Sequence, residues 1–192
     1  MSAFNTPRTF GWVARLLHWV VALATVGLFL LAIWYRGLDY GHAWYVRAPA
    51  LHVSLGFVLI AVVVLRLGWK LVNPSPDHAG GNPVENRLAT LMHWALHVTL
   101  IGLVVTGYLF ATADGRPASI FGIVEVPALP FAKSLKGTVG WVHEYLSYAI
   151  IALASLHALA ALKHHFIDRD DTLRRMVSGR RTTPDQPRET TQ

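Results

Sequence analysis

Ten histidines and no cysteine stand in a chain of 192 residues. Imidazole is therefore the one plentiful soft nitrogen ligand. Disulfides, iron–sulfur clusters, thiolate zinc sites and thioether-attached haem are excluded. His18, His52, His93, His97 and His157 lie inside long uncharged stretches, and His143 opens the last of these. A neutral imidazole can hold a metal, pass a proton or link helices by a hydrogen bond. Spacing narrows the choice. His143 and His157 are 14 residues apart, which on a helix puts the rings within roughly 40° of one face and roughly 21 Å apart along the axis. One helix thus carries two stacked ligand positions at different depths.

The elements that position them follow from the charge pattern. Uncharged runs extend over Leu16–Tyr35, Ala48–Leu65, Leu88–Ala113 and Tyr145–Leu162. Roughly 20 helical residues cross a hydrocarbon core. Strands with open edges cannot satisfy their backbone in lipid, so helices are required. With 53% hydrophobic and only 15% charged residues and a mean hydropathy of +0.39, the chain reads as an all-α, integral membrane four-helix bundle. Its spans are expected at about 12–35, 48–71, 88–112 and 138–164, within a membrane domain of residues 1–178. Residues 179–192, polar and turn-rich, read as a disordered cytoplasmic tail. The net charge of +6 gathers beside the last span, which favours anionic lipid over nucleic acid as the partner. Basic residues divide twelve to five between the two sides of the bundle, placing both termini in the cytoplasm. The loop of residues 113–136 carries Gly, Pro and Phe and is expected to fold back on the outer membrane surface.

Depth now pairs the histidines. The first span runs outward with His18 early in it. The second runs inward with His52 early in it. His18 is then level with His157, toward the cytoplasm, and His52 with His143, toward the periplasm. Two imidazoles at one level suit the axial positions of a b-type haem. The plainer reading, packing histidines, has to account for several costly polar groups within spans. One zinc site for all four is forbidden by the vertical separation.

The stretches RLLHWVVAL, LHVSLGFVLIAVVVLRLGWKL, HWALH and LKGTVGWVHEYLSYAIIALASLHALAALKHHFIDRDDTLRRM together resemble the bacterial cytochrome b561 family, over about residues 10–176. The resemblance implies two haems b, with His18, His52, His143 and His157 as iron ligands, in the bacterial inner membrane. It implies a superoxide:ubiquinone oxidoreductase that takes electrons from superoxide at the periplasmic side and delivers them to ubiquinone near the cytoplasmic side, with a quinone contact at His164. Other members are quinol-linked and pass electrons to a partner redox protein. A haem-binding bundle without turnover is a third possibility. The Lys136–His143 approach departs from the superoxide-linked pattern by about one extra helical turn.

Other residues have open roles. His164 lies seven residues past His157 and could donate protons to a quinone or bind headgroups. Arg66 and Arg15 inside, and Arg47 outside, could meet haem propionates, with Arg66 also in the quinone vicinity. Snorkelling to lipid phosphate is the alternative. His93 and His97 are one turn apart and could serve a propionate, protons or packing. Lys133, Lys136 and Arg116 could form a basic outer mouth, opposed by Glu125 and Glu144. Gly27, Gly56, Gly102 and Gly107 would admit a helix or a porphyrin face.

Overall fold

In the computed structural model, residues 2–77, 82–129 and 132–179 are described, without the side chains of residues 132 and 133. Residues 180–192 of the expected tail, His78 and the side chain of Lys133 lie outside them. Four long helices dominate: α1 (Trp12–Arg36), α2 (Arg47–Val72), α3 (Pro83–Ala111) and α4 (Lys136–Phe166). All four are long and apolar enough to cross a membrane. α3 begins before the uncharged run because Asn82 caps it, accepting from the Val84 N–H at 3.0 Å, with Pro83 in its first turn. Glu85 and Arg87 thereby join the helix outside its apolar length.

Large apolar side chains such as Leu16, Leu23, Leu30, Leu91 and Leu159 are exposed, as lipid-facing positions should be. A small cluster of Val21, Leu28, Leu59 and Val63 is buried between α1 and α2, with Leu100 and Val104 of α3 against it. Lipid provides no hydrophobic drive between helices, so small residues must let backbones approach. They do so between α3 and α4. A Cβ on Gly102 would meet Leu146 at 3.1 Å, and one on Gly140 would meet Phe110 at 2.7 Å. The bundle is therefore two tight hairpins, α1–α2 and α3–α4. α2 touches α3 more lightly, and α4 meets α1 and α2 only sparsely.

The loop after α3 holds an antiparallel hairpin, β1 (Ala118–Ile120) with β2 (Val124–Val126), paired Ala118 to Val126. Its turn uses left-handed backbone at Phe121 and Gly122. The Ser54 hydroxyl of α2 donates to the Ser119 carbonyl at 3.4 Å and accepts from the Phe121 N–H at 3.0 Å. The Tyr108 hydroxyl of α3 donates to the Pro127 carbonyl at 2.8 Å. The loop does fold back, onto the helix ends, through strands that the sequence pattern did not announce.

At the other end, a short α5 (Thr172–Val177) packs on the start of α1. Arg15 Nη1 donates to the Val177 carbonyl at 3.1 Å, and Trp19 Nε1 to the Met176 carbonyl at 3.2 Å. The segment before α1 and the segment after α4 therefore share one end of the bundle.

Candidate functional site

Because α4 is continuous over Lys136–Phe166, it carries His143 and His157 nearly four turns apart. Across the sparse seam, His157 faces His18 of α1 with ring centroids 6.4 Å apart. His143 faces His52 of α2 at 6.5 Å. All four rings are half-buried. Two imidazoles on opposite sides of one metal, with bonds of about 2 Å, have centroids about 6 Å apart, and tetrahedral partners about 5 Å. Both pairs stand at the opposite-side separation, and each bridges the two hairpins. The donor set thus fits two bis-imidazole haems.

The ring settings differ. His143 Nδ1 lies 3.0 Å from the Leu103 carbonyl and 3.3 Å from the Thr106 hydroxyl of α3. A ring donating from Nδ1 to a carbonyl keeps its lone pair on Nε2, the ligating tautomer. Gly107 makes room: a Cβ there would meet His143 Cε1 at 3.0 Å. Tyr35 stands edge-on to His52 at 5.7 Å.

At the opposite end, Arg66 Nη2 is 3.1 Å from His18 Nδ1. A guanidinium only donates, so here Nδ1 carries the lone pair. Ligation through Nε2 would place a proton on Nδ1 and turn Arg66 toward another acceptor. His93 stands nearer to His157 than His18 does, at 5.3 Å, short of the separation of two ligands on opposite sides of one metal. Its ring is exposed, and its carbonyl is bonded to His97 Nδ1. Spacing alone did not reveal that α3 turns His93 onto His157.

The glycines separate by role. Gly102 and Gly107 serve close α3–α4 contact, whereas a Cβ on Gly27 or Gly56 would meet nothing within 4 Å. Arg15 is engaged by α5, as above, and Arg47 and Arg116 are exposed. Lys136 Nζ pairs with Asp114 at 2.6 Å, and Arg36 with Glu144 at 2.5 Å. Of the expected basic mouth, Lys136 is offset by Asp114, Arg116 is exposed, and the Lys133 side chain lies outside the described residues. His164 lies between two carboxylates, Asp168 at 2.9 Å and Asp170 at 3.0 Å. The spacing of His164 and Asp168, one turn apart, was visible in the sequence, but the approach of Asp170 was not.

Four apolar helices long enough to cross a membrane, with histidines paired across their seam, define a multi-pass helical membrane protein. The family model described as prokaryotic cytochrome b561 matches residues 9–179. The chain is similar to "Cytochrome b561 homolog 2" of Escherichia coli (strain K12), 39% identical over 179 residues, covering 92% of this chain and 95% of that protein. It is also similar to "Cytochrome b561 homolog 1" of the same organism, 28% identical over 167 residues, covering 86% and 94%. "Probable superoxide oxidase CybB" of Yersinia pestis is 27% identical over 166 residues, covering 86% and 93%. The chain belongs to the prokaryotic cytochrome b561 family. It is accordingly a haem b-binding electron-transfer protein of the oxidoreductase class, multi-pass in the bacterial inner membrane.

Proposed function

We propose that this protein holds two haems b, one between His52 and His143 and one between His18 and His157, and moves electrons from a periplasmic donor to ubiquinone near His164. The supporting observation is the pair of histidine pairs at 6.4 and 6.5 Å, both anchored on α4. A haem held by each pair would supply one-electron transfer. The chain's own residues set the ends of the path. Leu103 and Thr106 fix the His143 ring, and Arg66 offers a cation beside His18 for a propionate or a reduced quinone. Both termini are cytoplasmic in this reading, following the twelve-to-five division of basic residues.

Superoxide is the donor we propose, making the protein a superoxide:ubiquinone oxidoreductase. A partner redox protein is the second reading, favoured by the pairing of Lys136 with Asp114 and Arg36 with Glu144. Paired charges steer a small anion weakly but can register a docking protein. Stopped-flow mixing of the oxidised holoprotein with superoxide, followed by a quinol assay, decides between them. Rapid haem reduction with quinol formed supports the first reading. Haems untouched by superoxide would transfer the role to the partner-linked cytochrome.

A further inference from the structure

Beyond α4 the chain doubles back at the His18/His157 end. Arg169 takes φ +56°, a left-handed conformation uncommon for a side chain of its size. The N–H groups of Asp168 and Asp170 donate to the carbonyls of Lys163 and His164 at 3.2 and 3.1 Å. This turn returns two carboxylates to one ring. His164 Nδ1 lies 2.9 Å from Asp168 Oδ2 and 3.0 Å from Asp170 Oδ2, with all three side chains under 30% exposed. Lys163 Nζ bridges Asp168 Oδ2 at 2.8 Å and Glu85 Oε1 of α3 at 2.7 Å. The charged groups around His164 are thus Asp168 and Asp170 from the turn, Lys163 from α4 and Glu85 from α3, with His165 adjacent in the chain.

A helix C-terminus leaves four carbonyls without intrahelical partners; N–H groups of Ile167, Asp168 and Asp170 meet those of Lys163 and His164, and a carboxylate, which only accepts, can cap none of them. The carboxylates are additional. Glu85, His164 and Asp168 would also suit a divalent cation by chemistry, but the Lys163 ammonium already bridges the two acids. An imidazole conducts protons by giving one from one nitrogen while taking one at the other. His164 Nδ1 is buried within 3.0 Å of both carboxylates without an aligned hydrogen bond to either; a small rotation of the ring would bring it onto one of them and leave Nε2 as the nitrogen to give.

We propose that Asp168 and Asp170, acting through His164, form the proton-input relay of the quinone site, with Lys163 and Glu85 holding its geometry. The proposal rests on the reading that a quinone binds at His164. Reduction of a quinone to a quinol consumes two electrons and two protons. The electrons arrive singly from the His18/His157 end, each withdrawn from the donor. For each proton, the His164 Nε2–H bond breaks as a quinone O–H bond forms, and in the same event Nδ1 takes the proton of a carboxyl O–H on Asp168 or Asp170. Water reprotonates that carboxylate, and the ring resets its tautomer before the second transfer. His164 is the donor to substrate, and the two aspartates are positioning and reloading residues.

The test uses pre-reduced holoprotein mixed with a short-chain ubiquinone. Haem reoxidation is followed by absorbance, and proton uptake by an indicator dye. Asp168→Asn/Asp170→Asn is expected to slow reoxidation about 10- to 100-fold, with proton uptake delayed in step and a larger solvent deuterium effect. Added formate should restore part of the rate. Reoxidation by ferricyanide, which takes an electron and no proton, should change less than about twofold by the same logic. In the resting holoprotein, the His164 15N chemical shifts, which report the ring's tautomer, should change in the variant, a readout independent of turnover. A double variant that is wild-type in rate, isotope effect and 15N tautomer signature would overturn the relay. So would equal slowing with quinone and ferricyanide, which marks a structural defect. If wild-type haems are reoxidised by ferricyanide but not by ubiquinone, the quinone reading itself fails, and the relay fails with it.

Discussion

The two ends of the histidine ladder are built from different materials. At the His52/His143 end, the rings are fixed by a backbone carbonyl, a threonine hydroxyl and an aromatic edge. Two nearby cations, Arg36 and Lys136, are paired with carboxylates. At the His18/His157 end, a guanidinium touches a ring, a further histidine leans on the other, and a histidine–carboxylate cluster closes the bundle. The first setting holds geometry and supplies few mobile protons. The second brings together charge and proton carriers. An electron entering without a proton suits the first, and one leaving together with a proton suits the second.

The largest expected effect breaks one end at a time. His52→Ala and His143→Ala should each lower the pyridine haemochrome value from two haems per chain to one, and should remove the same component in redox-resolved spectra. His18→Ala and His157→Ala should remove the other. Loss of one component by both His52→Ala and His18→Ala would merge the two ends. Next in size is Gly107→Val, whose branched side chain enters space already taken by the His143 ring. Overpacking of this kind costs about 1–3 kcal/mol. It should perturb the spectrum of the His52/His143 end alone.

Smaller effects sharpen the contrast. Arg66→Met removes a cation next to His18 and should lower the midpoint potential of that end by on the order of 60 mV, equal to about 1.4 kcal/mol. The other midpoint in the same redox titration should stay in place. Lys136→Gln should change superoxide-driven haem reduction at low salt by no more than about twofold, because Asp114 already screens that ammonium. Asp114→Asn should speed it. A large loss in Lys136→Gln would mean that the outer end depends on charge after all.

These contrasts were unevenly visible beforehand. The helices and the levels of the rings could be read because depth in a straight helix is linear in residue number, and charges mark where the hydrocarbon ends. The rotation of α3 could not. Its apolar residues surround it, so no polar face disclosed that His93 turns toward His157 while Gly102 and Gly107 face α4. The β1–β2 hairpin was hidden for another reason. Its strands are three residues each, and what holds them is Ser54, far away in sequence. Around His164, the partner one turn ahead was legible from spacing. Asp170 required the left-handed step at Arg169, which residue type disfavours.

The division into α1–α2 and α3–α4 also bears on how the molecule is made. Both tight contacts join helices that are neighbours in sequence, so each closes a short loop and can form soon after its second helix enters the membrane. The seam between the hairpins is the long-range contact, and it has little close helix packing of its own. Every residue proposed to bind iron lies along that seam, two on each side. Biogenesis is then expected to run through two preformed hairpins that stay separable until cofactor delivery joins them. Co-expressed as separate fragments, the two halves should reassemble when haem is supplied and drift apart when it is withheld.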